Sequence, residues 1–243
     1  MSISLKSLKH ELVNVFGENR VLFHVPLARY CNWKVGGPAD LFITVGSTDE
    51  LLTALRMAQH YNQPTTLLGF GANALVSDKG IRGLVILNRA ERIVFHPGKV
   101  VEVDSGTSLA VLAKRAAEQC VGGFEFLIGI PGTVGAAVLG NAGTRTQWIS
   151  TVLDRVQLLG NDGQLYWKST SELEFSYRSS RLKHTGEIVI SVWLRGQASD
   201  QVSIENKMKE LLLLRKNQPS GSNAGSVFRN PQGDYAGRLI EQC

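Results

Sequence analysis

The stretch that most limits how this chain can fold runs from Phe124 to Gly143. After Glu125 it carries no charge, it is built almost wholly of small and apolar residues, and glycine and proline punctuate it throughout. Such a run makes a poor exposed loop, so the rest of the chain must enclose it. Its glycines allow the backbone to come close to a bulky ligand, and the Pro131-Gly132 step sets a turn whose amides can point at an anionic group. Two readings follow from composition alone: the wall of a buried cofactor site, or a tightly packed core turn between two strands.

With 243 residues the chain can form one large domain or two small ones around a core that needs no staples. Hydrophobic residues make up 43% and charged residues 19%, which fits neither disorder nor a membrane protein. No apolar run reaches the length of a bilayer span, and residues 1–17 mix charged side chains where a signal peptide would be apolar, so the cytoplasm is the expected location. The three cysteines, Cys31, Cys120 and Cys243, are far apart and odd in number, which argues for reduced thiols over a disulfide framework or a cysteine-rich metal site. The formal charge of +5 points to anionic partners. Because the basic residues are scattered and aromatics are only 7%, a phosphate-bearing small molecule fits better than nucleic acid.

Periodicity predicts an amphipathic helix over Leu5–Phe16, a strand over Leu41–Val45, and a helix from a Ser47/Glu50 capping box to about Tyr61. A strand at Thr65–Leu68 leads into Gly69-Phe70-Gly71-Ala72-Asn73-Ala74. This segment satisfies the dinucleotide fingerprint formally, but glycines interrupt any helix after it and a Rossmann unit loses its context. The segment is then either an anion nest for a pyrophosphate or an ordinary glycine turn. Further on, a hairpin is expected around His96-Pro97-Gly98-Lys99, and a helix through Leu112 and Ala116 ends at Gly122-Gly123. Strands follow at Val152–Leu159, Leu165–Trp167 and Ile188–Leu194. A helix carrying Ile204, Met208 and Leu211 is stopped by Pro219, and the first turns of another helix close the chain. A composition shift at Gly196–Gln201 marks a boundary.

Five separated segments coincide with one pattern: Asn32–Asp40, Gly69–Leu75, Gly129–Gly143, Tyr177–Ser180, and Gln218-Pro219 through Gly225-Ser226-Val227-Phe228-Arg229-Asn230-Pro231. In this order and at these separations they closely resemble the UDP-N-acetylenolpyruvoylglucosamine reductase family, in its compact subtype. The resemblance covers nearly the whole chain after about residue 20. It implies an α+β fold, in which a vanillyl-alcohol-oxidase-type (PCMH-type) FAD-binding domain of two α+β subdomains precedes an α+β substrate-binding domain. The expected division is an N-terminal helix over 1–20, the FAD-binding domain over 21–197, and an incomplete substrate-binding domain over 198–243.

The same resemblance implies FAD as cofactor, NADPH as co-substrate, and reduction of a UDP-sugar enolpyruvyl ether in peptidoglycan precursor synthesis. A monomer with no nucleic-acid or membrane partner is expected. Cofactor contacts fall on Gly69, Phe70, Gly71, Ala72, Asn73 and Ala74, on Ile130, Pro131, Gly132, Thr133 and Gly135, and on Asn141, Ala142 and Gly143. Substrate contacts fall on Tyr177, Lys216 and Asn230, with Arg215 beside Lys216. Arg178 matches the arginine of a Tyr-Arg-x-Ser motif, and a fixed guanidinium suits the enolate that forms when hydride adds to C3. Ser226 stands at the family's proton donor. Taken without the motif, Arg178 reads as half of a surface salt bridge and Ser226 as a turn cap.

The chain departs from the family at Phe70, Ala72 and Ala136, where glycine or serine is more usual, and at Asn217, where a basic residue often precedes Gln-Pro. The family also continues beyond the segment matched by Asp234–Glu241, with a glutamate that joins the arginine and serine. Glu241 does not match that motif, so a fragment, a truncated product or half of a split enzyme is expected. The alternative to a reductase is a non-catalytic flavin-binding protein.

Overall fold

Leu5, Leu8, Leu12 and Phe16 recur at helical spacing, and in the computed structural model they form the buried stripe of α1 (Ile3–Phe16). The model describes residues 3–216, 221–223 and 225–243. Next come β1 (Val21–Pro26), β2 (Pro38–Val45), α2 (Thr48–His60), β3 (Thr65–Leu68) and β4 (Ile81–Asn88). They build a four-stranded sheet in the order β1-β2-β4-β3, with β2, β4 and β3 parallel and β1 antiparallel on the edge. Both faces of this sheet are covered, which is why its central strands read as continuous apolar runs. Leu41, Ile43, Leu84 and Ile86 meet α1 and α2, while Phe42, Val85 and Leu87 meet Leu27, Cys31 and Val76 on the other side.

The second unit contains β5 (Ile93–His96), β6 (Val100–Asp104), α3 (Leu109–Glu118), β7 (Val121–Gly122), α4 (Val134–Gly140), β8 (Leu153–Leu159), β9 (Leu165–Ser169), α5 (Leu182–Thr185), β10 (Ile188–Arg195) and β11 (Gln197–Ala198). Its antiparallel sheet has the order β5-β6-β10-β8-β9, and β7 and β11 form a separate short pair. One face of this sheet is alternately apolar, through Val101, Val103, Val156, Leu158, Val192 and Leu194, and packs against α3 and α4. Then follow α6 (Gln201–Leu213) and α7 (Ala236–Glu241). The described helices include none long and apolar enough to cross a membrane.

Several details differ from the sequence expectations. Ser47 Oγ accepts from Glu50 N at 3.2 Å, but the Glu50 carboxylate takes the Gly46 amide and Arg20 rather than closing a reciprocal capping box. Within the 124–143 run a two-turn helix, α4, occupies the place where only turns were expected. Its glycines are tolerated because Val134, Ala137 and Val138 are buried in the second core. Residues 3–16 do not stand apart, since Leu8 and Leu12 are fully buried in the first core. The boundary placed after residue 197 falls between β11 and α6, yet α6 packs through Ile204 and Met208 onto the second core. Pro219, expected to stop this helix, lies outside the described residues together with Asn217, Gln218 and Ala224.

The buried stripe of α1 gives a direct test. Leu8→Ala should destabilise the whole protein by about 2–5 kcal/mol in denaturant unfolding, the usual range for truncating a fully buried leucine. A second test concerns acid. The bidentate hydrogen bond from Arg20 holds the Glu50 carboxyl down to about 2 from its ordinary 4.5, against an opposing effect of burial. The folded form is therefore favoured above the ordinary value, and that contribution is lost as pH falls from about 4.5 to about 2. Glu50→Gln should flatten the pH dependence of stability in that window alone.

Candidate active site

Parallel pairing of β3 on β4 sets Leu68 opposite Leu87, so both strands end side by side at one edge of the first sheet. Ligands of parallel sheets gather beyond such carboxyl ends. Here the chain continues from β3 into Gly69–Ala74, while β4 ends at Asn88 and passes into Arg89. Facing them is the wall formed by Gly132–Leu139. Between the two lies a cleft of about 170 Å³ lined by Leu67, Gly69, Asn88, Ser105, Thr133 and Gly135, with Glu187, Ile188 and Val189 at one end. A larger, more open hollow of about 530 Å³ sits at the opposite end of the second sheet, beside Arg195 and Lys207. Those cations face Asp154 and Glu125, and the hollow touches none of the five motif segments.

The two glycine-rich segments differ in what their amides are free to do. Val134 N donates to Thr107 O at 2.9 Å and Gly135 N to Ser105 O at 2.8 Å, so these two wall amides are committed to the protein. By contrast, the amides of Phe70, Gly71, Ala72 and Asn73 make no hydrogen bond of ordinary geometry with the described residues. The 69–74 loop can thus cradle a phosphate through its backbone. Its shape is fixed from below. Gly71 has φ +61° and lies so close to Tyr30 O that a Cβ would stand 1.9 Å from it, while Gly71 O accepts from Asn32 N. That contact brings the Asn32–Asp40 segment to the loop.

Arg89, which the sequence did not single out, locks the loop from the side. Its Nη1 donates to Gly69 O and Asn88 O, both at 3.0 Å, and its guanidinium lies 4.7 Å from the centre of the Phe70 ring. Burial pushes its pKa down, opposed by the nearby Glu91. Phe70, in place of a smaller residue, therefore provides a stacking surface for a cation. Asn88 and Ser105 were also missed. The first is the polar residue that ends the apolar run of β4 and the second follows β6 directly, and Asn88 Nδ2 donates to Ser105 Oγ at 2.9 Å.

On the wall, Gly132 has φ +143° and open space where a side chain would be, so a ligand can approach the backbone there. Thr133 is buried against Gly69, and Ile130 packs against the second core. Pro131 is exposed. Ala142 and Gly143 turn away from the cleft, the first into the second core and the second into a bridge with Trp148. Asn141, left-handed at the end of α4, spends its side chain on Ser176 O at 3.0 Å. Leu139 O accepts from Ser180 Oγ at 2.8 Å, so the Tyr177-Arg178 turn hangs from the end of the wall helix.

Arg215 meets the segment that leads into the wall. Its Nη1 donates to Gly129 O, and burial, with the positive charge of Arg178 as the second cause, pushes its pKa down. Arg215 rather than Lys216 reaches the wall, for Lys216 is exposed in the turn after α6. Ser226 and Asn230 are exposed too. Gly225 N bonds to Asn223 Oδ1 and Asn230 Oδ1 accepts from Ala236 N, which are local turn and helix-capping contacts. The described contacts do not bring Ser226 to Arg178.

Two α+β units flanking a loop of free amides, a permissive wall and a fixed arginine define a dinucleotide-type flavin domain. Residues 39–169 match the family model described as an FAD binding domain. A glucose dehydrogenase, Phl p 4.0202, shares the fold at 14% identity, with a TM-score of 0.62 over 80% of this chain and 44% of its own. Much closer is the crystal structure of UDP-N-acetylenolpyruvylglucosamine reductase from Thermus caldophilus, at 37% identity and a TM-score of 0.80, covering 92% of this chain and 79% of that one. The UDP-N-acetylenolpyruvoylglucosamine reductase of Desulforamulus reducens is 39% identical over 240 residues, 98% of this chain and 79% of the relative. The chain belongs to the UDP-N-acetylenolpyruvoylglucosamine reductase family.

Gly71→Ala tests the loop. With backbone on one side and a left-handed φ to sustain, the loop must shift, and flavin affinity should fall at least about tenfold, read by fluorescence titration of the apoprotein.

Proposed function

We propose that the chain is an FAD-dependent oxidoreductase that uses NADPH to reduce UDP-N-acetylenolpyruvoylglucosamine to UDP-N-acetylmuramate, acting as a cytoplasmic monomer. The observation that supports this most is the placement of Arg178. A permanently charged side chain is carried on a turn anchored to the wall of the flavin cleft, with a second guanidinium, Arg215, near it. Flavin, when bound, supplies the two electrons that reach the enolpyruvyl group as hydride. The 69–74 loop would hold its pyrophosphate through backbone amides, and Gly132 and Thr133 would line its path, with Asn141 carrying the wall onward.

Addition at C3 drives negative charge through C2 into the substrate carboxylate. Arg178 binds that carboxylate through its planar fork and stabilises the enolate. Ser226 delivers the proton to C2, and Tyr177, Lys216 and Asn230 contact the UDP-sugar. In this reading residues 21–197 form the flavin-binding domain, and the chain from 198 onward contributes to substrate binding.

Purified protein should be yellow, and it should oxidise NADPH only when the enolpyruvyl ether is present. Arg178→Met should keep the flavin and lower kcat at least about a hundredfold, the scale of losing one charge-stabilising donor. Colourless protein that ignores added FAD, or NADPH oxidation indifferent to the ether, would overturn the reading.

A further inference from the structure

The turn that carries Arg178 is closed by two backbone hydrogen bonds, Ser176 N to Ser179 O at 3.0 Å and Ser179 N to Ser176 O at 3.2 Å. Tyr177 and Arg178 occupy its tip. Arg178 has φ +58°, in the left-handed region that glycine or asparagine enters readily and a long side chain does not. Left to itself, an arginine there would relax to a negative φ, and its side chain would leave from a different direction. Something around the turn must hold it.

Three side chains do so. Asn141 Nδ2 grips Ser176 O and Ser180 Oγ grips Leu139 O, which fixes the two ends of the turn to α4. Neither touches Arg178 itself. The contact on Arg178 comes from Lys183 in α5, whose Nζ donates to Arg178 O at 2.6 Å. Lys183 is exposed and could be fully hydrated, and pinning such a flexible side chain costs entropy. The charge-assisted bond offsets that cost and falls on the carbonyl of the strained residue.

We propose that Lys183 is a positioning residue. It holds the Arg178 peptide in the left-handed turn and so fixes the aim of the guanidinium at the carboxylate of the substrate. This rests on the reading of Arg178 given above. Because Lys183 acts through Arg178, it matters for transfer to the enolpyruvyl group and not for loading the flavin.

Stopped-flow measurement of the two half-reactions in the holoenzyme separates these steps. Lys183→Met should leave flavin content and flavin reduction by saturating NADPH unchanged, and should slow reoxidation of the reduced flavin by the enolpyruvyl ether about tenfold. Lys183→Arg, which keeps a charged donor, should recover most of that loss. In an Arg178→Ala background Lys183→Met should have no further effect. Reoxidation at the wild-type rate in Lys183→Met, or losses that simply add in the double variant, would overturn the proposal. Wild-type reduced flavin that the ether fails to reoxidise would overturn the activity itself, and this proposal with it.

Discussion

The pairing of β3 with β4 is the constraint from which the site is built. Because these two parallel strands stop together, Gly69 and Asn88 emerge as neighbours, and a line of hydrogen bonds starts there. Asn88 bonds to Ser105, Ser105 O receives the Gly135 amide at the first turn of α4, and the far end of α4 holds the Arg178 turn through Asn141 and Ser180. Each such bond contributes only about 1 kcal/mol net, but leaving one partner unpaired in a buried setting costs more than that. The line therefore behaves as a single rigid support between the cofactor loop and the arginine, although the two are far apart in sequence.

Much of the fold was legible. Stripes of period 3.6 marked α1, α2, α3 and α6, and alternation with an Asp-Gly turn marked the β8–β9 hairpin, because burial on one face leaves a regular trace. The wall helix α4 was not. Seven residues containing two glycines carry no period and weak propensity, and only the second core makes them helical. The edge strand β1 was missed because it contains His24 with φ +48° and a proline at its end, which blur the alternation.

The site divided along similar lines. Gly69–Ala74, Gly132 and Thr133 belong to runs whose composition is unusual, while Arg178 was singled out only by its place in a Tyr-Arg-x-Ser motif. Arg89, Asn88, Ser105 and Lys183 act from positions where such residues are commonplace, and only tertiary contacts reveal what they touch. Sequence also could not tell which glycine-rich amides are free. That depends on where the carbonyls of Ser105 and Thr107 lie, about 30 residues upstream in the chain and adjacent in space.

Strands β8 and β10 each contribute to both hydrophobic cores: Val156, Leu158, Val192 and Leu194 lie in the second, Leu159 and Ile190 in the first. A cleft between halves that share strands in this way cannot gape like a jaw, because parting them would tear apolar contacts on both sides. A cofactor held there would lie between two halves whose spacing the shared strands keep fixed. The same residues that close the two cores thereby set the width of the cleft, so a change at the junction of the two units would be felt at the site as a change of shape.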